Sequence, residues 1–262
     1  MKKYLKIYLQ LLLFSTKSKL SFRFNLVFKL LYGPAYVGVL LTILLLTYSK
    51  TSTLAGWNKN DALLLFAVFN MIYATCLIAF IDSMRYLLWD GIRLGEVDGW
   101  LMKPGNIQFF LTFSRPNLDL ISLWIFVVVF FVYKMITLHS VSVLNIIGFW
   151  ILFVLAHVIV YLVLSIYSTF GFHVTRAQQV LEVFDKAADF AQYPLTIFPQ
   201  SLQLLLSTFI PLAFFSYVPT LFLKNEGSAL LVVASLTLTI TLFIINHFAW
   251  KNALQHYASA SS

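Results

Sequence analysis

A chain of 262 residues that is 60% hydrophobic and only 11% charged lies far below the roughly 25% charge of ordinary soluble domains, which excludes a water-soluble enzyme or binding module. The formal net charge of +8 does not mark a nucleic-acid binder, because the bases lie before and between long apolar runs, where they set membrane orientation. Cys76 is the single cysteine; inside an apolar run it leaves no internal disulfide or cysteine-cluster metal site and reads as a small core residue.

The chain opens with bases and a short apolar stretch, like a signal peptide. However, Lys17, Lys19 and Arg23 follow directly and no small-residue cleavage site appears. Lys3, Lys6, Gln10 and Lys17 form one stripe of a helical wheel, and Leu5, Leu9, Leu12 and Leu13 form another. Residues 1–22 are therefore expected to form an uncleaved amphipathic helix on an anionic cytoplasmic leaflet. Six apolar runs follow, at about 27–48, 62–82, 118–137, 143–168, 201–223 and 228–248. Each is long enough to cross a hydrocarbon core of about 30 Å, so the fold class is an all-α polytopic membrane protein. "LHSVS" joins the third and fourth spans and "KNEG" the fifth and sixth, as tight hairpins. Longer polar segments separate the second span from the third and the fourth from the fifth.

With the N-terminus cytoplasmic, fourteen bases fall inside: Lys2, Lys3, Lys6, Lys17, Lys19, Arg23, Lys29, Arg85, Arg93, Lys103, Arg115, Arg176, Lys186 and Lys251. Four fall outside: Lys50, Lys59, Lys134 and Lys224. That bias places both termini and both long loops in the cytoplasm. Asp82 and Arg85, at a span end, suit an i,i+3 ion pair. Asn70, His157, Asn246 and His247 lie within spans, where a polar group is a functional candidate; isolated residues of this kind also simply join helices.

Two stretches depart from the apolar background. In "GIRLGEVDGWLMKPGN" (91–106), Gly91, Gly95 and Gly99 recur every four residues, which on one helix would open a single face to close approach. Pro104 would stop the helix and Gly105 allow a reversal. The alternatives are a loose linker and a closely docked cytoplasmic element exposing Arg93, Glu96, Asp98 and Lys103. In the segment 193–219, Pro194, Pro199, Pro211 and Pro219 are four of the chain's seven prolines. Pro211, in mid-span, is expected to kink its helix, either to line a pathway or merely to pack. Residues 176–191 carry Val180, Phe184, Ala187 and Ala191 on one side and Gln178, Glu182, Asp185 and Asp189 on the other. Glu182 and Lys186 form an i,i+4 pair. This reads as an amphipathic helix that either rests on the membrane or touches a partner. There is no G-x-x-x-x-G-K-[ST] phosphate loop and no H-E-x-x-H motif, so nothing recommends the chain as an enzyme.

The stretches "GEVDGWLMKPGN", "YPLTIFPQSLQLLLSTFIPLAFFSYVPTLFL" and "WKNALQHYASAS" resemble the ABC-2 family of ABC transporter permeases, in its short six-span subgroup with the ATPase on a separate chain. Val97 and Met102-Lys103 stand where that family more often has leucine and arginine. The resemblance implies a single permease domain over 1–262 in the bacterial cytoplasmic membrane, half of an exporter. A second permease subunit, the same chain or a paralogue, would pair with it, and two ATPase subunits would bind below. ATP and Mg would sit on those ATPases, with no cofactor on this chain. Residues 84–116 would be the coupling region, with Gly91, Arg93, Gly95, Glu96, Asp98, Gly99, Lys103 and Pro104 at the ATPase interface. Glu182 and Asp185 would form a second contact. Asn70, Ser207, Pro211, Phe214 and Phe215 are the candidates for the translocation path. Aromatic content of 17% and few intramembrane charges favour a hydrophobic or amphipathic cargo such as a drug, lipid or lipopeptide. A membrane subunit of an importer or signalling complex, or a lipid-modifying enzyme, is the alternative.

Overall fold

The structure, a computed structural model, describes residues 2–19, 23–138, 141–174, 178–208 and 210–257; Arg176 and the C-terminal "ASASS" lie outside them. Among the described residues the chain is almost wholly helical. Helix α1 (Lys2–Lys19) precedes α2 (Arg23–Lys50), and a two-stranded hairpin of β1 (Thr53–Leu54) and β2 (Trp57–Asn58) follows. Helix α3 runs unbroken over Lys59–Gly91. The short helices α4 (Glu96–Leu101) and α5 (Ile107–Phe113) lead to α6 (Ile121–Ile136) and α7 (Val143–Thr169). Then come α8 (Gln178–Ala188), α9 (Gln200–Thr208), α10 (Tyr217–Leu223) and α11 (Ala229–Gln255).

Five helical stretches are long and apolar enough to cross a membrane: Leu30–Lys50, Lys59–Gly91, Leu118–Ile136, Val143–Phe172 and Ala229–Gln255. They match the first four predicted spans and the sixth. Local capping fixes where two of them begin. Asn58 accepts a hydrogen bond from the Asp61 amide at 3.0 Å to start α3, and Ser142 accepts from Asn145 at 3.2 Å to start α7. Helix α3 is the central post, with 72% of its apolar window buried against 17% for α2 and 11% for α11. The outer helices present Leu46, Phe243 and Phe248 outward, which costs nothing where the surroundings are hydrocarbon. On α1, Tyr4 and Tyr8 pack against Phe109 and Phe113 of α5, while Leu5, Leu9 and Leu13 stay exposed. The side chains of Lys3 and Lys17 lie outside the described residues.

The predicted fifth span departs most from expectation. The chain is broken, not kinked, at Pro211: α9 and the stretch Leu212–Leu223 meet at 74°. Proline lacks the amide that would continue the ladder and crowds the carbonyl four residues back, so a 3₁₀ turn over Leu212–Phe214 replaces the helix. The segment before it packs along the central helix instead of standing off as a free loop. Asp185 reaches Arg85, in the last turns of α3, at 2.7 Å. The Thr196 hydroxyl donates to the Ala55 carbonyl, in the hairpin before α3 begins, at 3.3 Å. Residues 178–198 therefore run along most of the central helix, and α10 lies beside its starting end, with Tyr217 against Trp57 at 5.5 Å between ring centroids.

Gly33 brings two helix backbones close together. A Cβ on Gly33 of α2 would lie 2.4 Å from the Leu123 backbone of α6, a spacing that forces the helices apart. Gly33→Ala is expected to destabilise the protein by about 1–3 kcal/mol, read as a lower thermal unfolding midpoint in detergent. Gly38→Ala, whose Cβ would meet nothing within 4 Å, should leave the midpoint unchanged or raise it, since alanine favours a helix by roughly 1 kcal/mol over glycine.

Candidate functional site

The polar stretch 91–106 forms a structured turn at the end of α3. The helix closes with a π-turn over Leu87–Gly91, a widening that recurs at functional positions. Gly95 then adopts φ +70°, a left-handed conformation that glycine tolerates freely, and α4 starts on the next residue. Gly105, at φ +155°, makes the second reversal after Pro104. Asn106 accepts from the Phe109 amide at 3.1 Å to start α5. Gly91, Gly95 and Gly99 therefore do not share one helix face: the first ends α3, the second is the break, and the third lies exposed on α4 with open space around it. The four-residue spacing suited a helix that the left-handed residue interrupts.

The turn is held firmly. Glu96 accepts from the Tyr86 hydroxyl at 2.6 Å, and a single Arg115 nitrogen, Nη2, donates to both of its carboxylate oxygens at 2.9 and 3.0 Å. The Arg115 guanidinium lies over the Tyr86 ring at 3.5 Å. Beneath them Val97 is buried with Leu87, Leu111 and Trp250 in a small separate core. The Trp250 indole donates to Ser165 Oγ at 2.7 Å, and Gln108 donates to the same oxygen at 3.0 Å. Helices α3, α4, α5, α7 and α11 are thereby tied together at this end. Glu96, expected to face a partner, is committed within the chain instead. Asp98 is half-buried and also has a partner. Arg93 pairs with Asp90 at 2.7 Å but remains 74% exposed, and Lys103 lies over Trp100 at 3.6 Å. Leu94, Leu101 and Met102 are exposed, Met102 to 87%. The turn thus offers an apolar ridge flanked by two bases.

Asp185, the second residue expected at a partner surface, also faces inward. Arg85 bridges Asp82 at 2.8 Å and Asp185 at 2.7 Å. The Tyr73 hydroxyl donates to the same Asp185 oxygen at 3.2 Å, and the Asn117 amide donates to Asp82. This network joins α3, α8 and the approach to α6. The i,i+3 half of it was expected; the bond across 100 residues carries no local sequence signal. Glu182 is exposed as expected.

The path candidates are not gathered in one place. Asn70 is buried, donates to the Phe66 carbonyl of its own helix at 2.8 Å, and lines a cavity of about 310 Å³ with Tyr36, Arg85, Asp189 and Gln192. Ser207, Pro211, Phe214 and Phe215 do not line it. Ser207 donates to Gln203 at 2.6 Å, Pro211 is buried at the break, and Phe214 is half-buried. Phe215 is core, packed on Phe184 with ring centroids 6.0 Å apart. Among the described residues no group of three or more His, Cys, Asp or Glu could hold a metal ion. Sequence reading passed over Tyr86, Tyr73, Gln108, Ser165 and Trp250, whose types are ordinary in any span.

A bundle of apolar helices around a central post, with a rigid polar turn on one end, defines a multi-pass helical membrane protein. The chain belongs to the ABC-2 family of transporter proteins, whose family model matches residues 35–261. Members of that family are the membrane components of transporters and generally work with ABC ATPase partners. No curated protein and no solved structure matches the chain.

Proposed function

We propose that this chain is the permease subunit of an ATP-driven exporter in a bacterial cytoplasmic membrane, with both termini cytoplasmic. ATP and Mg bind a separate ATPase chain, and a second permease, a copy or a paralogue, completes the membrane part. The observation that carries this reading is the turn 91–106, tied through its core to the four helices α3, α5, α7 and α11 yet exposing Leu94, Leu101 and Met102. Exposed apolar groups on an otherwise anchored element suit a partner surface. A push on that element reaches α3 without being lost in a flexible loop. Arg93 and Lys103 flank the ridge, Gly99 and Pro104 keep its profile low, and Asp98 borders it. Glu96, Gly91 and Gly95 shape the turn rather than touch the ATPase. The Arg85 network would carry movement of α3 to α8, where exposed Glu182 is the remaining candidate for a second contact and Asp185 is the internal link. Asn70, in the cavity of about 310 Å³, and the broken segment at Pro211 are the proposed parts of the translocation path. The cargo is a hydrophobic or amphipathic molecule.

Inside-out vesicles holding the chain and its ATPase should accumulate fluorescent amphiphiles when MgATP is added. Vesicles with either subunit alone should not. ATP-driven loss of the probe from the vesicle interior would contradict export, and accumulation without the ATPase would contradict the division of labour.

A further inference from the structure

A cleft of about 930 Å³ opens between α1, α5, α7 and α11, away from the Arg85 network. Phe109, Phe113, Val158, Leu162 and Phe243 give it apolar walls. Several of its polar groups are satisfied: the Asn106 amide donates to the Tyr4 hydroxyl at 3.0 Å, and Gln108 donates to Tyr161 at 3.2 Å. Asn246 is different. It lines the cleft, is only 4% exposed, and its side-chain carbonyl has no hydrogen-bond partner among the described residues. A buried amide edge at this depth calls for a partner.

We propose that this cleft holds one anionic glycerophospholipid of the cytoplasmic leaflet. Two observations select that occupant. First, Leu5 and Phe243 line the cleft and are also 62% and 63% exposed, so it opens sideways onto the apolar flank of α1 and α11, where lipid is the neighbour. Second, the exposed charges that neighbour its lining positions along the chain are bases. Lys6, Lys103 and Lys251 are exposed and lie within four residues of the lining positions Leu5, Asn106 and His247, whereas no Asp or Glu lies within four residues of any lining position. Bases at a membrane surface attract anionic head groups. Aromatic rings and aliphatic side chains then receive the acyl chains. The Asn246 amide accepts from a head-group hydroxyl or, turned over, donates to an ester carbonyl. The proposal rests on the orientation given above, with the termini cytoplasmic, but not on ATP-driven transport.

The test uses the purified full-length chain in mild detergent, without ATPase or nucleotide, so its failure is separable from failure of the exporter reading. After incubation with vesicles of equal phosphatidylglycerol and phosphatidylcholine, native mass spectrometry counts the lipids retained. Wild type should keep one phosphatidylglycerol per chain, at least tenfold in preference to phosphatidylcholine. Asn246→Leu should reduce retention several-fold, and Val158→Trp, which fills the cleft, should abolish it with helicity unchanged. If Val158→Trp fails to fold, a phosphatidylglycerol carrying a photoactivatable acyl chain locates the site on wild type, with adducts expected on α5 and α11. Equal retention of the two lipids, unchanged retention in Asn246→Leu, or adducts spread evenly over the outer helices would overturn the proposal.

Discussion

Arg85→Ala is expected to loosen α8 from the central helix and to abolish transport. The guanidinium sits between Asp82 and Asp185, and the three side chains are 24%, 24% and 29% exposed. Removing the cation leaves two carboxylates near one another with no counter-charge between them. Breaking a fully buried pair costs about 3–5 kcal/mol and a surface pair about 0–1 kcal/mol. Partial exposure places this one at about 2–3 kcal/mol. The thermal midpoint should fall by several degrees, and limited proteolysis should cut within 178–192 sooner. Arg85→Lys keeps the charge but not the fork that reaches both acids, so it should lie between wild type and alanine. Adding Asp185→Asn to Arg85→Ala should recover part of the loss. A single alanine variant as stable and active as wild type would show that the network is incidental.

Glu96→Lys should be the most damaging change in the turn, and for a reason internal to the chain. It removes the acceptor for Tyr86 at 2.6 Å and for Arg115 at 2.9 and 3.0 Å, and it sets a second cation beside Arg115. Hydrogen bonds to a charged group contribute about 1.5–3 kcal/mol; with the pair 49% and 35% exposed, a local loss of about 2 kcal/mol follows. Transport should drop at least tenfold while helix content is retained. Met102→Asp separates anchoring from docking. Its side chain is exposed, so the midpoint should hold, yet the charge on the apolar ridge should weaken ATPase association. If Met102→Asp binds the ATPase as wild type does, the ridge is not the contact.

The apolar runs at 27–48, 62–82, 118–137, 143–168 and 228–248 were legible because some twenty apolar residues in a row have one stable arrangement in lipid. Pro211 was legible as a breaker, but not how far the chain would turn. Whether a proline kinks or ends a helix depends on what packs beside it, and Leu212, Ala213 and Phe215 are buried there. The climb of 178–198 along α3 was hidden because Glu182, Asp185 and Asp189 read as a solvated face; only the folded arrangement supplies Arg85 and Tyr73 to receive Asp185. Asp82 with Arg85 was readable from three-residue spacing alone. In the turn, charges drew attention as contacts, since Arg115 stands nineteen positions from Glu96. The leucines and methionine left outside look, in sequence, like the rest of an apolar chain.

In the proposed function this chain transmits the work of a separate ATPase through the turn at 91–106. The most direct test is the purified chain weighed and assayed with and without its co-expressed ATPase. The chain alone should hydrolyse no ATP. With its partner it should form a complex of two permease and two ATPase subunits that hydrolyses MgATP and is weakened by Met102→Asp. A contaminant-free chain that hydrolyses ATP by itself, or one that never associates with the ATPase under conditions where both are folded, would contradict that function.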